Sequence, residues 1–294
     1  MGASLLDSVN QKRKVLRDMV GCGLIKIRMM TSFRPRLRSL YVCSFVLMCF
    51  LGVTQSIRAT EWVEHRAFGP FVCRADFSLR GREKVFNDLA DIQRDLYQRL
   101  GIPPGREQIE IYLFRSRSDY NRYLQHWYPD IPSRRALFIK NNGRAKVLVY
   151  HSDELDTDLR HECTHALLHA SLPMVPLWLD EGLAEYYEVP PSQRVLQNPH
   201  RNATVWSYRL WQRQTMNELE NKQQLAEMGR NEYRHAWAWV HFMLHGPPAA
   251  RQALANYLAD IREGTPPGSL STRISDAVPN PDAAIVAHFR TFWR

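Results

Sequence analysis

Apolar and polar positions alternate along this chain in two different periods, and the change from one to the other marks its elements. Phe71 to Phe77 alternates as a strand. Val85, Phe86, Leu89, Ile92, Leu96 and Leu100 then recur at the three- and four-residue spacing of a helix that stops at Gly101-Ile102-Pro103-Pro104-Gly105. Ile109, Ile111 and Leu113 alternate again. Ser116 to His126 reads as a short helix, and Tyr120 and Tyr123 within it and Trp127 and Tyr128 just after it read as packing aromatics. Ala136 to Lys140 and Lys146 to Tyr150 flank Asn141-Asn142-Gly143, a hairpin signal.

The segment from 188 to 230 is polar with no strong period, and loops with short helices over a cleft are expected there. Tyr233 to His245 reads as a buried helix, 247 to 261 as another, 264 to 271 as a linker, and 281 to 293 as a last helix. This order predicts an α+β fold, with a mixed sheet in the first half and a mainly helical second half.

Composition adds little until charge is divided along the chain. The 294 residues are 45% hydrophobic and 23% charged, an ordinary globular balance, and the formal net charge is +9. Residues 1 to 59 carry +8 of it and the remainder +1, so the basic character belongs to a leader and a nucleic-acid partner is not expected. In that leader Arg34, Arg36 and Arg38 precede an uncharged apolar run from 40 to 53, the layout of a secretory signal. Cleavage is expected after Ser56 or Ala59, placing the mature chain outside the cytoplasm, secreted or periplasmic. The other reading keeps 40 to 53 as a membrane anchor. Met29 and Met30 would start a signal of normal length. The divisions expected are a leader over 1–59, a main domain over 60–246 and a helical segment over 247–294 packed on it. Only Cys73 and Cys163 lie beyond the leader, and a bridge between them is one of two readings for the pair.

The chemistry concentrates between residues 161 and 188. His161-Glu162-Cys163-Thr164-His165 puts two imidazoles one helical turn apart, half a tetrahedral shell for zinc, with Glu162 beside them as a general base and not a ligand. Cys163 falls on the opposite side of that helix. Glu181 follows the apolar frame Val175-Pro176-Leu177-Trp178-Leu179, where a carboxylate must be paired or metal-bound. Gly182 permits close helix approach, and Glu185, one turn on, is placed to accept the outer N–H of a ligating imidazole.

His161-Glu162-x-x-His165 followed by Trp178-Leu179-x-Glu181-Gly182 resembles the gluzincin, or peptidase MA-like, zinc metallopeptidases, including the WLxEG element of aminopeptidase N-type enzymes. With Leu183-Ala184-Glu185-Tyr186 it is most similar to bacterial exported proteins of the peptidase MA-like group. The resemblance implies a zincin-like fold, Glu181 as third zinc ligand with Glu185 as its companion, and hydrolysis of peptide or protein substrates by Glu162-assisted attack of a zinc-bound water. The stretch 166 to 180 between His165 and Glu181 is shorter than in aminopeptidase N-type enzymes, so a tighter connection is expected. A metzincin fits less well, since Leu168 and Ser171 stand where its Gly and third His belong, and His169 reads as a helix histidine.

An oxyanion donor is also expected from the helical half, with Tyr233 first, His235 second and His241 third. The hairpin would offer an edge strand to an extended peptide. Two other readings are a non-catalytic exported module with a structural zinc, and an anchored interaction protein without metal; the second leaves Glu181 and Glu185 unexplained.

Overall fold

The computed structural model describes residues 61–291, apart from 142 and 211. The leader, its apolar run and the alternative start at Met29 or Met30 lie outside the described residues.

Strand β1 (Glu64–Phe68) turns at Gly69, φ 51°, into β2 (Phe71–Ala75). Helix α1 (Glu83–Leu100) ends where expected, on left-handed Gly101, and carries the chain to β3 (Ile109–Phe114), parallel to β2. Ser116 caps α2 (Arg117–Trp127) by accepting from the Asp119 N–H. The predicted hairpin is β4 (Ala136–Asn141) against β5 (Arg144–Tyr150). Strand order is β1-β2-β3-β5-β4, with a parallel centre and antiparallel margins, so β4 is an edge.

Alternation decides what each sheet face meets. Ile109, Ile111 and Leu113 share one core with Val147, Val149 and the apolar face of α1, while Tyr112, Phe114 and Leu148 pack under Tyr120 and Leu124 of α2 on the other face. Helix α3 (Leu155–Ser171) lies against the first face, its Leu155, Leu159, Cys163 and Ala166 in that core. Cys73 and Cys163 are both buried free thiols there.

After α3 the chain is helical: α4 (Leu177–Tyr187), α5 (His200–Arg209), α6 (Met216–Glu220), a 3-10 turn at Leu225–Glu227, α7 (Arg230–His245), α8 (Pro248–Glu263), α9 (Leu270–Ala277) and α10 (Pro281–Arg290). The helices beyond 247 pack on the rest, α8 against both α7 and α1. No helix among the described residues is long and apolar enough to cross a membrane. Three differences from expectation stand out: β1 was not foreseen, α9 begins inside the expected linker, and the polar 188 to 230 segment holds α5 as a full helix.

Helix α4 is clamped between α3 and α7. A Cβ on Gly182 would sit 2.8 Å from the Ala236 carbonyl oxygen and 3.0 Å from Val240 Cγ2. Backbone cannot rotate away as a side chain can, so Gly182→Ala forces α4 and α7 apart. Overpacking of about 3 kcal/mol against a gain of ~1 kcal/mol in helix propensity leaves a net loss on the order of 2 kcal/mol. A thermal midpoint lower by about 4–8 °C is the expected result; an unchanged melt would refute the contact.

Candidate metal centre

One turn of α3 sets the His161 and His165 rings 5.0 Å apart, and α4 delivers Glu181 between them. Both Nε2 atoms stand 3.7 Å from the same oxygen, Oε2 of Glu181. Tetrahedral zinc with bonds of about 2.0–2.1 Å separates its ligand atoms by roughly 3.3 Å, so small side-chain rotations close the set. Two imidazoles and one carboxylate also match the donor chemistry of a zinc site with an open position. Glu181 is buried, and the two histidines are what face its carboxylate. The residues fit the ion.

The outer nitrogens are held by α4, though not by the residue expected. His161 Nδ1 is 3.2 Å from Glu188 Oε2, and His165 Nδ1 is 3.0 Å from Asp180 Oδ1. Glu185 instead accepts from His200 Nε2 at 2.7 Å while still lining the cleft. Glu181, Glu185 and Glu188 lie on one helix face, and the crossing of α3 over α4 brings the last of them, not the middle one, to His161. Asp180 also takes His169 Nε2 at 3.0 Å, and the Phe138 ring stacks over both His165 and His169. His169 is thus a positioning partner one turn beyond the ligands.

Behind the ligands sits Arg160, itself buried. Its Nη1 donates to Asp88 Oδ2 of α1 at 3.1 Å and its Nε to the Glu188 carbonyl at 2.5 Å. Glu188 is therefore fixed at both ends, by Arg160 through the backbone and by His161 through the side chain.

Electrostatics follow from this crowding. Burial alone would depress the His161 and His165 pKa values, but the facing carboxylates, Glu181 and Glu188 for His161 and Asp180 for His165, outweigh it and raise both. Burial would likewise raise Asp180, yet His165 and His169 hold it below the usual carboxylate range. Burial pushes Glu188 up, whereas His200 and His161 overcome burial and bring Glu185 down.

The cleft over the cluster encloses about 390 Å³ and is lined on the sheet side by Arg134 and by Ala136, Leu137 and Phe138 of β4. Glu162 lines it too, and its carboxylate makes no hydrogen bond or ion pair with a described residue. Tyr233 of α7 faces it from the helical side; burial, then Glu181 and Glu185, push its hydroxyl up to about 12, so it remains an O–H donor at neutral pH. His235 and His241 are elsewhere. His235 Nδ1 bonds the Asn231 carbonyl at 2.8 Å, and His241 Nε2 bonds the Val195 carbonyl at 3.0 Å, both buried in the helical core. Burial pushes the Cys73 thiol up to about 12 and Cys163 well above its ordinary value, which leaves no thiolate for a metal or a nucleophile.

Sequence reasoning missed three groups here. Glu188 lies seven residues from Glu181 on the same helix face, a position that sequence alone does not separate from Glu185 as the partner of His161. Asp180 and Arg134 had no local signal, because their roles depend on how α3, α4 and β4 meet. No protein-family model matches this chain, and comparison with curated proteins finds no match to it.

Proposed function

We propose that this chain is an exported zinc-dependent peptidase of gluzincin type, in which His161, His165 and Glu181 hold the ion and Glu162 is the general base. The observation that carries the reading is Glu162: a carboxylate with no hydrogen-bond or ion-pair partner among the described residues, lining the same cleft as the converged His161, His165 and Glu181. A structural zinc site has no use for such a group, whereas hydrolysis requires it. The layering of the metal helix on a mixed sheet, with a helical half closing the cleft, agrees with a zincin-like architecture.

When bound, zinc would supply a Lewis acid that polarises the scissile carbonyl and acidifies water. Glu162 takes the proton of the attacking water and returns it to the departing amide nitrogen. Tyr233 donates its O–H to the oxygen that gains charge during attack. The free edge of β4 offers backbone N–H and C=O groups to an extended substrate, which would lie along the Phe138 side of the cleft. Glu188 accepts from His161 Nδ1 and the Asp180 carboxylate faces His165 Nδ1 as its ion-pair partner, and together they aim both Nε2 atoms at one point.

About one equivalent of zinc per chain is expected by elemental analysis, falling to background in His161→Ala, His165→Ala and Glu181→Ala. Full stoichiometry in Glu181→Ala would remove that residue from the ligand set. Zinc at one equivalent with no cleavage across a diverse peptide library would mark the cluster as structural and reject the peptidase.

A further inference from the structure

The cleft is acidic except at one point. Glu162, Glu181 and Glu185 line it, and apart from the two histidines Arg134 is the basic side chain that joins them among the described residues. Arg134 is exposed and makes no hydrogen bond or ion pair with a described residue. Its neighbour is committed: Arg135 bonds the buried Asp158 of α3 through Nε at 2.9 Å and Nη2 at 2.7 Å. That pair pins the backbone just before β4 to the metal helix, and so sets Arg134 at the lip of the cleft with its guanidinium unspent.

Position along β4 makes this specific. Phe138, stacked on His165, marks the level of the ligands, and Arg134 precedes the start of β4 by two residues, across a bend at Arg135, while lining the same cleft. A substrate strand on the β4 edge therefore meets the guanidinium on the Ala136 side of the scissile bond. Antiparallel addition brings the C-terminal side of the substrate there. Parallel addition brings the N-terminal side, whose ammonium an arginine repels. For the terminal charges, sign and direction agree only in antiparallel addition, which puts the α-carboxylate side of the substrate at Arg134.

Resting on the peptidase reading, we propose that Arg134 is a specificity-determining residue that binds a carboxylate on the C-terminal side of the scissile bond. The substrates are then peptides with an acidic group there, either the α-carboxylate of a short leaving segment or an Asp or Glu side chain. A planar guanidinium receives either one through paired charge-assisted hydrogen bonds.

The probes are three N-acetylated randomised hexapeptide libraries: free acids, C-terminal amides, and amides with one Asp at each position in turn. Wild type is expected to favour the free acids or the Asp amides over the plain amides by about tenfold, mainly through KM. The preferred arm identifies the source of the carboxylate. Arg134→Ala should erase the preference with zinc content and melting unchanged, Arg134→Lys should keep part of it, and Arg134→Glu should turn it towards Lys-bearing amides. Equilibrium capture of the same libraries by Glu162→Gln, with and without Arg134→Ala, reads binding without turnover. Equal capture of acid, Asp-amide and plain-amide libraries overturns the inference. No turnover by wild type, together with Arg134-dependent capture of carboxylates, overturns the peptidase reading and leaves the carboxylate site standing.

Discussion

Glu162→Gln is expected to retain one zinc per chain and an unchanged melt while losing about 100-fold to 10,000-fold in peptide turnover. The amide is nearly isosteric with the carboxylate. No described residue bonds the Glu162 side chain, so the substitution breaks no contact and leaves His161, His165 and Glu181 where they are. What disappears is the ability to take a proton at neutral pH. The loss should fall on kcat and on kcat/KM alike, because the group acts in the transition state and not in holding substrate. Turnover equal to wild type would defeat the mechanism. A Glu162→Asp variant is a useful companion: the base survives but is withdrawn by one methylene, and intermediate activity is the expected result.

Steep acid denaturation through three histidines that do not line the cleft is the second large effect. The buried His241 of α7 has the half-buried rings of His245, on the same helix, and His288 of α10 packed against it. His241 Nε2 donates to the Val195 carbonyl at 3.0 Å, which leaves its Nδ1 to accept from His288 Nε2 at 2.9 Å, and His245 Nε2 meets the Tyr186 hydroxyl at 2.7 Å. Each ring is neutral in that arrangement, and a further proton on His241 would set N–H against N–H. Burial, then mutual repulsion for His241 and the Arg99 charge for His245, depress the pKa values to about 3, 4 and 4 for His241, His245 and His288, with burial the cause at His288; Arg251 adds to the effect at His245 and Asp95 opposes it.

The unfolded chain takes up these protons near pH 6.5, while the folded chain holds them off until about pH 4 to 3. Stability from this source is full above 6.5 and is lost as pH falls through that window. Because the rings repel one another their shifts do not add, and together they are worth on the order of a few kcal/mol, a sizeable share of the stability of a domain. The raised His161 and His165 act in the opposite sense in metal-free protein, so the informative quantity is a difference between variants. His241→Gln combined with His288→Gln should flatten the fall in melting temperature between pH 6.5 and 4.5. A double variant that tracks wild type across that range would show that acid acts elsewhere.

Local pattern carried the convergence of His161, His165 and Glu181 and little beyond it. Two histidines at a four-residue spacing declare their shared face wherever the helix lies, and an apolar run around Glu181 declares its burial. Tyr233 was legible because it opens a strongly periodic helix. The companion of His161 was not, since Glu185 and Glu188 share a face of α4 and only the angle between α3 and α4 selects Glu188. Strand β1 was missed for a different reason. Glu64-His65-Arg66-Ala67-Phe68 has no apolar alternation; it is an edge strand held by β2 pairing, with the Arg66 guanidinium close to Glu64 and Glu83. Helix α9 offered two buried apolar positions, Leu270 and Ile274, too few for a period to emerge.

Arg160 imposes an order on assembly. It ties α3 to Asp88, 72 residues earlier, and to the Glu188 backbone, 28 residues later. An incompletely folded chain presents a metal with two imidazoles on one helix and nothing else. Glu181 arrives only when α4 docks, and the end of α4 is secured by a guanidinium that must itself be neutralised by α1. Contacts that distant close slowly in folding. Tight zinc capture is therefore expected to be a late event, with the ion testing a finished fold rather than nucleating one, the reverse of small zinc modules that stay unfolded until metal arrives.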